Sequence, residues 1–191
     1  MLERFQLSNY TIRRKVLKLF GGVFHVFGPD GELVFYSKQK AFKLREDIRL
    51  YNDENMTEEI LLIQARNIID FAAAYDVIDS VNGQKVGALR RKGWESMFRD
   101  QWMIMDADDN EVGIIMEDSG LMAFLRRFLS NLIPQEFYAE VTGERVCNYK
   151  QHFNPFVYKL DVNLTTEANA FDRIICLAGG ILLAAIEGRQ N

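Results

Sequence analysis

Three runs of positive charge stand out on a first reading of the chain. Arg90, Arg91 and Lys92 precede Gly93; Lys38, Lys40, Lys43 and Arg45 form a second run; Arg13, Arg14, Lys15 and Lys18 form a third near the start. Guanidinium and ammonium groups contributed by neighbouring strands can hold one phosphorylated group through several charge-assisted bonds at once. Arg90, Arg91, Lys92, Lys38 and Lys40 are therefore the candidate anion-binding residues. The simpler account of the same residues is a solvated charged strand face. Glu46, Asp47, Asp53, Glu54, Glu58 and Glu59 are interspersed and would offset such a patch.

Oxygen ligands recur once at cation-binding intervals. Asp106, Asp108, Asn110 and Glu117 occupy positions 1, 3, 5 and 12 of a calcium-loop spacing. Position 6, where the loop turns sharply and calls for glycine, is Glu111, and the flanks read as strands. A hairpin turn is the expected role, and no metal site is expected. His25 and His152 have no Ser, Cys or Asp placed beside them by sequence, so they read as structural histidines. A general base must lie within hydrogen-bonding reach of its partner, and spacing alone does not supply that here. Cys147 and Cys176 form no CxxC pair and suit small buried fillers in a reducing compartment. Gly31 and Gly83 follow Asp30 and Asn82 as turn residues, with no phosphate-cradling motif around them. No catalytic residue and no cofactor are expected.

The elements that would carry these residues are mostly strands. Residues 23–37, 75–89, 102–116 and 137–149 each read as a hairpin, with turns at Pro29-Asp30-Gly31, Asn82-Gly83, Asp109-Asn110 and Thr142-Gly143. Residues 41–51 place Phe42, Leu44, Ile48 and Leu50 on one face at period two, with Glu46 the exception, and 10–20, 60–71 and 155–162 add further strands. Phe24, Phe35, Tyr75, Trp102, Phe137 and Tyr158 fall at core positions. Ten to twelve strands favour closure into a barrel. A short surface helix is expected from about Leu121, capped by Ser119 and ended by Pro134.

The end of the chain is different. Residues 174–186 are thirteen consecutive apolar residues between Arg173 and Glu187. A membrane span needs about twenty, whereas a helix apolar on every side can be buried by protein on every side. The expected helix, about 169–187, therefore sits inside the barrel, and Gly179-Gly180 removes side chains where strands could approach it closely. A short membrane hairpin or anchor is the competing reading.

Serial hairpins closed by an all-apolar helix resemble the superfamily of LURP-one-related, tubby C-terminal-like and phospholipid scramblase proteins. The resemblance is carried by FHVFGPDGELVFYSKQKAFKLREDIRLY, YDVIDSVNGQKVGALRRKG, RDQWMIMDADDNEVG and the closing helix. It implies one domain over residues 1–191, a closed barrel of about twelve strands around a buried C-terminal helix. Tubby domains hold phosphoinositides with Lys and Arg from adjacent strands, and scramblases move lipids. The family constrains fold more than function.

The resulting expectation is a non-enzymatic binding module for anionic phospholipid or phosphoinositide head groups, or for a protein partner. A scramblase-like peripheral membrane protein and an enzyme of unknown class are the alternatives. The net charge of −4 argues against a nucleic-acid partner. The first nine residues lack the apolar core of a secretory signal. A cytoplasmic protein, at most peripheral to a membrane, is expected.

Overall fold

A computed structural model describes residues 2–15, 22–38, 47–66, 74–92, 101–118, 135–152, 154 and 156–186. A 3-10 turn, Leu2–Phe5, leads into β1, Asn9–Lys15. Four hairpins carry most of the wall: β2 and β3 (Val23–Phe27, Leu33–Lys38), β6 and β7 (Ala74–Asp79, Gln84–Arg91), β8 and β9 (Gln101–Met105, Glu111–Glu117), and β10 and β11 (Glu136–Val141, Glu144–His152). Between the first two hairpins lie β4, Ile48–Tyr51, and β5, Glu59–Ala65. β12, Val157–Leu164, is followed by one helix, α1, Ala170–Ile186.

The strands close into a twelve-stranded antiparallel barrel in which β1 pairs with both β2 and β12. This is the barrel expected from the hairpin rhythm, and all four hairpins turn where their Gly, Asn and Asp residues predict. The tightest case is Thr142-Gly143, where both residues take positive φ, 52° and 86°. That conformation matches the strand twist and is cheap for the glycine. Register shifts at Val26/Phe27, Leu50/Tyr51, Val77/Ile78, Ile104/Met105 and Ala139/Glu140 bend strands near their ends. Such bulges increase local twist and help a sheet close. β12 runs past the expected 162 because the Leu164 N–H still finds the Ser8 carbonyl, at 2.8 Å. Phe42, Leu44 and the helix expected over 119–134 lie outside the described residues.

Helix α1 fills the barrel. At a rise of about 1.5 Å per residue its apolar stretch spans roughly 20 Å, short of a bilayer core. Among the described residues no helix is long and apolar enough to cross a membrane. Every non-glycine side chain from 174 to 185 is at most 5% exposed, so the anchor reading does not describe where this helix lies. Burying each large aliphatic side chain is worth about 1.5–3 kcal/mol, which explains why the stretch carries no charge.

The Gly179-Gly180 pair has the expected steric cause. A Cβ on Gly179 would stand 2.4 Å from Ile115, and one on Gly180 would stand 2.9 Å from Val162 and 3.1 Å from Ile12. The bare backbone also lets Tyr149 reach inward from β11, where its hydroxyl donates to the Cys176 carbonyl at 2.9 Å.

Both helix ends are tied down. The Asp172 N–H donates to Asn169 Oδ1 (3.1 Å) and the Asn169 N–H donates to Asp172 Oδ2 (2.9 Å). This reciprocal cap satisfies donors that the first turn leaves open. At the other end Arg14 Nη1 donates to the Ala184 carbonyl at 3.0 Å, a cation where the helix dipole is negative.

Candidate functional site

Alternation along the strands sorts the basic residues between the two sides of the wall. In β1, Tyr10 and Ile12 point into the core, at 2% and 0% exposure, as does Arg14 towards the helix; Thr11 and Arg13 point outward. In β2 the inward residues are Phe24 and Val26, and in β12 they are Tyr158, Leu160 and Val162. His25 and Lys159 are thereby turned to the outer surface.

Register then brings the outward residues side by side. Arg13 pairs with His25 across β1 and β2 and with Lys159 across β1 and β12. Lys159 in turn pairs with His152 across β12 and β11. His25, Arg13, Lys159 and His152 therefore form one lateral row over four strands. At a strand spacing of about 4.8 Å the row is roughly 14 Å long.

The row floors a groove of about 570 Å³, which Glu54 and Asn154 also line together with the apolar Phe27, Leu33 and Val157. The Arg13 guanidinium lies over the Phe27 ring, 4.8 Å from its centroid, a contact that holds the charge in place while leaving its edge donors available. Among the described residues Arg13 has no carboxylate partner.

The histidines do have partners, which sequence spacing could not place. His25 Nε2 hydrogen-bonds Glu54 Oε1 at 2.8 Å, and His152 Nε2 hydrogen-bonds Asp161 Oδ2 at 2.5 Å. Thr11 Oγ1 donates to Asp161 Oδ1 at 2.9 Å, and Lys159 Nζ stands 3.7 Å from that oxygen. Burial works against ionisation of Asp161. The bonds from His152 and Thr11 and the neighbouring positive charges outweigh it and hold the carboxyl below its ordinary value. Among the described lining residues there is no Ser, Thr, Cys or Tyr to serve as a nucleophile. The arrangement suits capture of an anion with an apolar part beside it.

Arg13 belongs to one of the three basic runs of the sequence, but none of the described candidate anion-binding residues lines this groove. Lys38 ends β3, whereas Arg90 and Arg91 end β7, with β4, β5 and β6 between them. That is about 19 Å of wall, so Lys38 and Arg90 belong to no common patch. Lys40 lies outside the described residues, as do Lys43, Arg45 and Lys18. Arg90 forms an ion pair with Glu111 on its own outer face. Arg91 and Lys92 also have partners, and the Lys92 N–H donates to the Gln101 carbonyl at 2.9 Å.

The calcium spacing is not assembled either. Asp106 Oδ1 accepts the N–H groups of Asp108 and Asn110, both at 2.9 Å, and Oδ2 accepts the Asn110 amide at 2.9 Å. Glu117 is buried at the far end of the seven-residue β9, roughly 20 Å from the turn. Among the described residues no cluster of His, Cys, Asp or Glu could hold a metal ion. Cys147 and Cys176 are buried and unbridged, and burial pushes the Cys147 thiol well up, away from the reactive thiolate.

Fold and site together define a class: a closed antiparallel β-barrel filled by its own C-terminal helix, with a cationic groove on the outer wall. No family model and no curated protein matches the chain.

Proposed function

We propose that the barrel is a binding module that takes anionic phospholipid head groups in the groove over β2, β1, β12 and β11. The observation that carries the reading is the row His25, Arg13, Lys159 and His152, held in register on the wall, with Arg13 unmatched by a carboxylate among the described residues. Several fixed donors converging on one site suit a phosphate better than a single mobile lysine would. The apolar flank of Phe27, Leu33 and Val157 suits the glycerol and upper acyl region of the same ligand. The likeness of hairpin rhythm and closing helix to tubby-like and LURP-one-related domains supports the reading, and membership of that superfamily is part of the proposal.

Co-sedimentation with lipid vesicles tests it. The chain carries a net charge of −4, so attraction to an anionic surface must come from a local patch rather than from the whole molecule. Binding is expected to vesicles containing phosphatidylserine or a phosphoinositide and not to phosphatidylcholine alone, and it should weaken as salt shortens the screening length. No retention on any anionic vesicle at low salt would overturn the proposal.

A further inference from the structure

Phe156 is 64% exposed, the most of any large hydrophobic side chain among the described residues. It stands between Asn154 and Val157, both of which line the cationic groove. Its backbone is fixed there, because Asn154 Oδ1 accepts the N–H groups of Phe156 (2.9 Å) and Val157 (3.0 Å). The aromatic ring is thus held out at the rim of the groove. A large apolar side chain kept in water costs free energy that burial elsewhere would recover.

We propose that Phe156 enters the hydrocarbon boundary of an anionic bilayer while Arg13 and Lys159 engage the head groups, so that this face docks on a membrane in one orientation. The inference rests on the head-group reading above and adds to it a depth and a direction. Two features of this face favour a bilayer as the occupant. The cations beside Phe156 complement an anionic surface, and aromatic rings are favoured at the water–lipid interface. Val157, next to Phe156 in the chain, lines the groove together with Arg13 and Lys159, so a single approach can satisfy both.

The test uses the full chain with Phe156→Trp and vesicles of phosphatidylserine and phosphatidylcholine, with or without brominated acyl chains. The emission of the unmodified protein is subtracted to remove Trp94 and Trp102. A blue shift on vesicle addition and quenching by brominated lipid are expected. Phe156→Ser should weaken vesicle binding about tenfold while leaving affinity for soluble inositol trisphosphate unchanged.

If the unmodified protein binds anionic vesicles, yet the tryptophan is not quenched and Phe156→Ser binds as well as the parent, insertion is overturned and the head-group site stands. A blue shift that rises with protein concentration in the absence of vesicles would also overturn it, by assigning the ring to a second copy of the chain. Failure of the unmodified protein to bind vesicles would remove both proposals together.

Discussion

Two stretches of the outer wall use positive charge in opposite ways. From β4 to β9 the cations are matched by carboxylates. Arg49 meets Glu59 at 2.7 Å, Arg66 bridges Asp76 and Asp109, Lys85 reaches Asp109 at 2.6 Å, and Arg90 meets Glu111. The guanidinium of Arg66 and then the ammonium of Lys85 hold the Asp109 carboxyl below its ordinary range. On the wall from β2 to β11 Arg13 and Lys159 stand beside one another and Arg13 rests on an aromatic ring, while Glu54 and Asp161 hydrogen-bond the histidines and Asp161 also lies 3.7 Å from Lys159. Lateral register, more than local density, decides which basic residues are available to a ligand. Charges that alternate in sign across strands neutralise one another, and charges of one sign in a row invite an anion.

The sharpest way to break this contrast is to reverse charge on each face in turn. Arg13→Glu with Lys159→Glu is expected to weaken binding to phosphatidylserine vesicles by roughly a hundredfold or more, since bonds to charged groups are worth about 1.5–3 kcal/mol each. Arg90→Glu with Lys92→Glu changes the net charge by the same amount and is expected to change binding by less than about threefold, consistent with the small net worth of an already paired exposed charge. Equal losses in the two double variants would mean that overall charge, and not the row, controls association.

That outcome bears on how much of the molecule could be read in advance. The barrel was legible because strand alternation and turn chemistry are local: Gly83, Thr142-Gly143 and the inward Phe24, Phe35 and Phe137 announce themselves within a few residues. The buried helix was legible because thirteen apolar residues leave few environments open. The groove was not. Arg13 and His25 lie near one end of the chain and His152 and Lys159 near the other, each on the outward phase of a different strand. They meet only through the pairing of β1 with β12, the closure contact that no local pattern encodes. The available hints were the basic run Arg13, Arg14, Lys15 and Lys18 and the polar phase on which Arg13 and Lys159 fall. The candidates drawn from the other two basic runs included Arg90, which the fold pairs with Glu111.

A smaller effect distinguishes the faces by stability. Arg66→Met removes the bridge between Asp76 and Asp109 and should cost about 1 kcal/mol, the upper end for a partly exposed network. Arg13→Met should change stability by less than about 0.5 kcal/mol, because no carboxylate among the described residues loses a partner. Urea denaturation of the two variants measures the difference, and a comparable cost at Arg13 would show that its role is structural.

Acid should reveal the carboxylate that flanks the row. The Asp161 carboxyl is depressed in the folded protein, so the unfolded chain takes up its proton at higher pH than the native state does. Its contribution to stability is complete above the unfolded value of ~3.9 and is lost as the pH falls through the lower folded one. The urea midpoint of the parent should therefore drop across this acid range, and Asp161→Asn should drop less. An unchanged acid slope in that variant would mean that the bonds from His152 and Thr11 do not hold the carboxyl as described.

The smallest expected effect is none at all, at the turn joining β8 and β9. Its aspartates would be the natural place for calcium on the paired face, were they free to turn outward. Asp106 spends both oxygens on the turn itself, Asp109 is shared by Arg66 and Lys85, and Glu117 is buried at the other end of its strand. A cation would have to displace an arginine and a lysine and open the turn before gaining its ligands. Titration calorimetry with millimolar calcium should accordingly give no heat of binding and no change in thermal midpoint. A binding heat that vanished in Asp106→Asn would show these carboxylates to be available after all, and the face from β4 to β9 could no longer be described as neutralised from within.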